Sequence, residues 1–156
     1  MNPEEYKKIV NKFTTGITVI TGNYNNKPFG ITVNSFSSLS LEPILVSFNI
    51  DKKSHTNELI INSDYYNINI LSKSQEDLVW RFAKKDEDRF KNLDYQTDNN
   101  NIALLTNNLA TLHTKKYKII DIGDHNIIIA EVINGDKNMN QEPLIYYNSK
   151  IKWTIP

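Results

Sequence analysis

The chain contains no cysteine, which excludes a disulfide framework, a thiolate zinc site, an iron–sulfur cluster and a redox thiol pair. Any electron chemistry therefore has to reside on a bound cofactor. Neither charge is in excess: 18 basic side chains balance 18 acidic ones, so no general field draws the chain to nucleic acid or anionic lipid. Long apolar runs are missing as well, and nothing approaches the roughly 20 residues of a membrane span. The start, MNPEEYKK, has two glutamates and no apolar segment of the kind a secretory signal needs. A soluble cytoplasmic protein is expected. Glycine is scarce, at positions 16, 22, 30, 123 and 135, and forms neither GxGxxG nor a Walker loop. Arginine is scarcer still: Arg81 and Arg89 stand against sixteen lysines.

What is present is enough for one core. With 156 residues, 39% of them hydrophobic, residues 1–156 read as a single domain. Asparagine and isoleucine are each about one residue in seven, a background bias in usage. Asn2, Pro3 and two glutamates signal a helix start, and Tyr6, Ile9, Val10 and Phe13 give it an apolar face expected to pack on the elements next in the chain. From Ile17 the pattern turns to β: ITVITG, a turn around NYNNKP, a long run from Phe29, then ILVSFNI. A short helix is expected from Ser54 to Ile61, then a strand in YYNINIL, and a second helix in LVWRFA after a capping box of Ser74 and Asp77. Lys84 to Asn101 reads as a polar surface excursion. LATLHTKKYKIIDIG and HNIIIAEVING read as two strands joined at Gly123-Asp124, and LIYYNSKIKW as a last apolar stretch. The expected fold is mainly β with short helices, an antiparallel barrel with helical excursions.

The most informative segment is GITVNSFSSLSLEP, from Gly30 to Pro43. In a continuous strand, Thr32, Asn34, Phe36, Ser38 and Ser40 would share one face. Short hydroxyls and an amide beside a ring suit a planar heteroaromatic ligand; they also suit a strand kept soluble by its polar face. In NIDKKSHTNEL, Lys53, Ser54 and Thr56 sit at a helix start, fit for an anion or simply for capping. One of the two arginines is a candidate fork for phosphate or carboxylate. Asp86, Glu87 and Asp88 read as a solvated face. His125 follows a tight turn and so falls at a barrel rim, whereas His55 and His113 lack metal-ligand spacing.

Taken in order, GITVNSFSSLSLEP, KKSHT, YNINIL, LVWRFA with DRF, GDHNIIIAEV and PLIYYNSKI resemble the flavin reductase-like family of FMN-binding split barrels. The resemblance runs from about Phe13 to Ile151 and implies an NAD(P)H:flavin oxidoreductase using FMN, with FAD as an option. It implies that Thr32, Val33, Asn34, Ser35, Ser38 and Ser40 contact the flavin ring and ribityl chain. Phe48, Asn49 and Ile50 would lie along the isoalloxazine, with Lys53, Ser54 and Thr56 at the phosphate end. Arg81 and Phe82 would stand on the phosphate or adenylate side, and His125 near the nicotinamide as the catalytic-site histidine. It further implies a homodimer, with Tyr147 and Trp153 near the interface, and a partner monooxygenase. The chain departs from the pattern at Glu42-Pro43-Ile44, where two prolines are common, and at Ala130-Glu131-Val132, where Gly-Glu-Val is usual. The loop Asp94 to Asn101 lacks the usual glycine and proline, a departure that bears on the nicotinamide side. The alternatives are a non-catalytic flavin carrier of the same fold, a pyridoxamine-phosphate-oxidase-like barrel, disfavoured by the few arginines, and a ligand-free barrel module.

Overall fold

A computed structural model describes residues 1–85 and 88–152. Asp86, Glu87 and Trp153 lie outside the described residues. Helix α1 (Pro3–Val10) leads through β1 (Thr15–Gly16) into the hairpin of β2 (Thr18–Tyr24) and β3 (Lys27–Val33). Next come β4 (Ser37–Leu41), β5 (Ile44–Asp51), α2 (Asn57–Asn62) and β6 (Tyr65–Ile70). A 3-10 turn at Lys73–Gln75 enters α3 (Glu76–Ala83), and the short pair β7 (Gln96–Thr97) and β8 (Ala103–Leu104) comes after it. Two 13-residue strands, β9 (Ala110–Ile122) and β10 (His125–Lys137), precede the final hairpin of β11 (Ile145–Tyr147) and β12 (Lys150–Lys152).

Seven strands form one antiparallel sheet in the order β3-β2-β6-β9-β10-β5-β4. Its two edges, β3 and β4, are joined only by Asn34, Ser35 and Phe36, so the sheet curls into a barrel that stays split between them. Turn chemistry sets the hairpins. Asn25 and Asn26 take φ of 51° and 61° between β2 and β3, and Gly123 takes 54° between β9 and β10.

The barrel interior holds Ile20, Phe48, Ile50, Tyr66, Ile68 and Ile128, each at most 1% exposed. A second core of Ile17, Val19, Leu78, Val79, Phe82 and Leu144 packs α3 against the outside of β2. Because β2 is covered on both sides, its sequence TVITG is a continuous buried run without alternation. A Cβ on Gly30 would lie 2.6 Å from the Phe82 ring, so this glycine is what lets α3 approach β3. Buried amides tie the remaining outer face together. Asn69 Nδ2 donates to the Val19 carbonyl (3.0 Å) and to Thr21 Oγ1 (3.1 Å), and Asn108 Nδ2 donates to Asn69 Oδ1 (2.9 Å). Gln75 Nε2 donates to Asn108 Oδ1 (2.9 Å), while its Oε1 accepts from the Ser72 amide (2.8 Å).

Several expectations need correction. Helix α1 has its capping box of Asn2 and Glu5, but Tyr6, Ile9, Val10 and Phe13 are all exposed, and nothing among the described residues covers them. The capping box before α3 is Ser72 with Gln75, three residues apart, not Ser74 with Asp77. Helix α2 starts at Asn57, because Ser54 is occupied in a turn where its Oγ accepts from the Thr56 amide. The Gly30–Pro43 segment is not one strand: it breaks at Asn34–Phe36 and bulges between Ser38 and Ser40, so its hydroxyls do not share a single face. The polar excursion is also less superficial than its composition, since Phe90 and Leu93 pack against the second core.

Tyr66 generates a test of the interior. Its hydroxyl donates to the Ile60 carbonyl (2.6 Å) and to that of Ser63 (3.0 Å), and burial, with Asp64 nearby, pushes its pKa well above the ordinary tyrosine range. A raised folded-state pKa gives stability that is complete below the ordinary value of about 10 and is lost as pH rises above it. Tyr66→Phe should therefore lower the stability measured by urea unfolding at neutral pH by about 1 kcal/mol. The gap to the unmodified protein should narrow above pH about 10; a gap constant with pH would contradict this account.

Candidate functional site

Below the β3 edge lies a cavity of about 380 Å³. Gly30 supplies one wall, His55 and Thr56 a second, and Asp88, Arg89 and Phe90 a third. Arg89 organises it. Its Nε donates to the Lys84 carbonyl (2.9 Å), its Nη2 to the same oxygen, and its Nη1 to the Gly30 carbonyl and to Thr56 Oγ1 (3.2 Å). Burial lowers the Arg89 pKa from its ordinary value, yet a guanidinium remains charged at neutral pH. Thr56 is 4% exposed and, having accepted from Arg89, keeps its own proton for an acceptor. Lys53 is exposed and Ser54 half-buried on the loop that leads into this wall.

Arg81 does not enter the cavity. Its Nη1 donates to the carbonyls of Arg89 (3.3 Å) and Lys91 (3.0 Å), so it clamps the loop that carries Arg89. Phe82 is fully buried under Gly30. Neither expected side chain lines this cavity: Arg81 braces the loop that carries Arg89, and Phe82 supports the wall from behind.

The break between β3 and β4 has its own geometry. Thr32 Oγ1 donates to the Val79 carbonyl (2.8 Å), holding β3 to α3. Val33 and Asn34 line a second cavity, of about 320 Å³, together with Tyr146 and Ile151. Ser35 takes the place of a ladder residue: its Oγ accepts from the Asn49 amide (2.9 Å) and donates to the Asn49 carbonyl (3.3 Å). The hydroxyls of Thr32 and Ser35 are thus engaged within the protein. Ser38 is exposed and Ser40 half-buried beside the bulge. Along β5 the alternation sends Val46, Phe48 and Ile50 inward and Ser47, Asn49 and Asp51 outward. The side chains of Phe48 and Ile50 fill the barrel, so of the three residues expected along the ring only Asn49 presents its side chain outward.

His125 pairs with Asp51 across β10 and β5, and Ile127 with Asn49, so His125 and Asn49 share the outer face. The imidazole Nδ1 lies 2.7 Å from Asp124 Oδ1. The turn beneath it is held by Lys52, whose Nζ donates to Asp121 Oδ1 (2.8 Å) and to the Gly123 carbonyl (2.7 Å). Behind it, Asn126 Nδ2 donates to Asn57 Oδ1 (2.9 Å), fixing β10 to α2. The C-terminal end of β5 thus pairs with the histidine, and the loop after it leads to Thr56 in the arginine cavity. His113 is elsewhere, with Nδ1 2.8 Å from Asn67 Oδ1 under the β7–β8 excursion.

Residues 10–154 match the model of the flavin reductase like domain. The chain belongs to this family. Among relatives of the flavin reductase-like chain, the FMN reductase (NADH) of Agrobacterium fabrum is 31% identical over 93% of this chain and 82% of its own. The reductase subunit of a flavin-dependent monooxygenase from Rhodococcus jostii is 29% identical over 96% of this chain and 77% of its own. The NADH:FAD oxidoreductase of Streptomyces globisporus, solved with NAD and FAD fragments, is 25% identical with a TM-score of 0.92, covering all of this chain and 96% of that one.

Within this flavin reductase-like domain, the sequence left open which of the two arginines serves, and Tyr146 was not singled out. Arg89, rather than Arg81, reaches the cavity; both were visible as the only arginines, but their roles depend on how the loop folds back. Tyr146 lines the second cavity, while Tyr147 lies 6.0 Å from Lys12 Nζ. The inward set of β5 was readable from the alternation of Val46, Phe48 and Ile50 with Ser47, Asn49 and Asp51.

The Asp124–His125 contact is directly testable. The hydrogen bond from His125, then its charge, holds the Asp124 carboxyl below the ordinary aspartate range. His125→Ala should let Asp124 titrate upward toward that range, followed by carboxyl carbon chemical shifts in NMR. No movement of the Asp124 titration would show that the contact does not form in solution.

Proposed function

We propose that this chain is an NAD(P)H:flavin oxidoreductase, working on FMN with FAD as an option, that delivers reduced flavin to a partner monooxygenase. One observation carries the reading: around the end of β5, a guanidinium–hydroxyl cradle and an outward histidine flank a polar strand break. The relatives support both halves, since one is an NADH-dependent FMN reductase and another a monooxygenase reductase subunit.

The donor set fits a flavin nucleotide. Arg89 and Thr56 combine a fixed cation with hydroxyl donation at one cavity, as a phosphate needs. Ser54 and Lys53 extend the cradle along the loop, and the backbone beside Phe48 and Ile50, with the Asn49 side chain, borders the ring. Val33 and Asn34 line the second cavity at the strand break, Ser38 and Ser40 stand beside that break, and Thr32 and Ser35 shape it from within. A bound flavin supplies the hydride acceptor and the nicotinamide the donor, so the protein needs neither thiol nor acid–base dyad. Its own part is to hold the two rings in register and exclude water between them. His125 orients the nicotinamide side, its ring held through Nδ1 by Asp124.

The active form is a homodimer. Ile120, Ile122, Ile127 and Ile129 surround His125 on the outer sheet face, and Ile122 is 55% exposed, so a second copy would both bury them and close the site. Residues 1–156 act as one domain. No helix among the described residues is long and apolar enough to cross a membrane, and we place the enzyme in the cytoplasm beside its nicotinamide supply.

The visible spectrum and NADH or NADPH oxidation with FMN, FAD or riboflavin test the reading. Yellow protein that leaves the nicotinamide unoxidised would reduce it to a flavin carrier. His125→Ala should raise KM for the nicotinamide by about tenfold and leave FMN affinity within about twofold. Arg89→Gln should weaken FMN by about 10- to 100-fold, the worth of charge-assisted bonds, with riboflavin little affected. Equal losses for FMN and riboflavin would remove Arg89 from the phosphate.

A further inference from the structure

His125 stands where the sheet runs out. Its pairing with Asp51 is the last between β10 and β5, so the Gly123-Asp124 turn projects past the final rung on that side. A hairpin tip in that position twists unless contacts beyond the ladder hold it. Lys52 makes the first of them. Its backbone N–H donates to the Asp124 carbonyl (3.0 Å), and its ammonium donates to Asp121 Oδ1 (2.8 Å) and to the Gly123 carbonyl (2.7 Å). A surface ion pair alone adds little. Here the same ammonium also takes a carbonyl of the turn, and so ties the tip both to the end of β9 and to the loop after β5.

Asn126 makes the second contact. It is 4% exposed, and its Nδ2 donates to Oδ1 of Asn57 (2.9 Å), itself 7% exposed. Asn126 pairs with Asp121 across β9, so these two side chains share the inner face while His125 takes the outer one. Lys52 and Asn126 therefore grip the tip from behind the imidazole.

The segment they grip it to is held by its own hydrogen bonds. Asp51 Oδ1 accepts from the Lys53 amide (2.8 Å), and the Asp51 carbonyl from the Ser54 amide (2.9 Å). The Ser54 carbonyl then accepts from the Asn57 amide (3.0 Å), and its hydroxyl from the Thr56 amide (3.3 Å). Two successive turns carry the chain from Asp51 into α2, and Ser54 and Thr56 lie between the two grips.

We infer that Lys52 and Asn126 are positioning residues for His125. They fix its distance from the hydroxyls of Ser54 and Thr56, and with it the spacing between the nicotinamide side and the flavin phosphate. What His125 meets rests on the flavin reading; the bracing itself does not.

Lys52→Met keeps the stem and removes the ammonium. It should raise KM for NADH about fivefold, with FMN affinity within about twofold and the thermal melt unchanged. Lys52→Arg, which keeps the donors, should hold KM to within about twofold. In the His125→Ala background, Lys52→Met should add nothing to KM, because the two residues act in series. Asn126→Ala should weaken both NADH and FMN, since it also frees Asn57 beside Thr56; Lys52→Met decides alone if that variant does not fold. The ligand-free protein gives an independent readout. Among its three histidines, His125 should change its imidazole NMR signals in Lys52→Met, while His113, held by Asn67 on β6, keeps its own. If the unmodified protein neither binds FMN nor oxidises NADH, the flavin reading fails and the His125 shift still upholds the bracing. Unmoved His125 signals, a rise in KM that adds in full to that of His125→Ala, or equal losses for NADH and FMN in Lys52→Met would overturn the inference.

Discussion

Three residues join the two edges of a seven-stranded sheet. Val33 and Ser37 are four positions apart, a reach of about 14 Å at most. Six strand spacings in a flat sheet would separate those edges by about 29 Å. The sheet has to curl, and almost everything of functional interest depends on how it does so. Curling turns Phe48, Ile50 and Tyr66 into an interior. It brings the β3–β4 connection over β5, where Ser35 satisfies the Asn49 backbone that a closed ladder would otherwise have paired. The split remains as a polar seam at the mouth of the candidate site.

The seam would be open on its other side without the elements that lean on β2 and β6. There the amides of Asn69, Asn108 and Gln75 form a chain in which each accepts and donates. A satisfied buried network of this kind fixes geometry more than it adds stability, because each member left unpaired would be costly. It sets the 3-10 turn and hence the start of α3. Gly30 then sets how closely α3 approaches the barrel, and the loop after α3 brings Arg89 back across the same strand. The anion cradle is thus the last link in a sequence of contacts that begins far from it.

Local signals were legible and non-local ones were not. The Asn25-Asn26 and Gly123-Asp124 turns announced two hairpins because their chemistry is contained within a few residues. The alternation of β5 held the inward set just as plainly, and Phe48 and Ile50 could have been read as core from it. The break at Asn34–Phe36 could not, since edge closure imposes it and nothing within the segment does. Ser35 looked like a ligand hydroxyl because its partner, Asn49, is a backbone across the seam. The pair Arg81 and Arg89 shows the limit most clearly. Composition marked both as unusual, but only the path of the loop decides which one faces a cavity and which one braces it. The apolar face of α1 was read correctly as apolar, and the described residues provide no cover for it.

The scarcity of glycine has a structural counterpart. Six asparagines, at 25, 26, 92, 101, 107 and 148, and Ser149 occupy the left-handed region among the described residues, whereas Gly123 alone of the glycines does so. The fold has divided two duties that glycine usually combines. Asparagine supplies handedness at turns, where its short amide tolerates a positive φ, and Gly30 is kept for sheer closeness. Divergence should respect that division: the turn positions can exchange asparagine for glycine with little change of shape, while Gly30 marks a distance that no side chain can preserve.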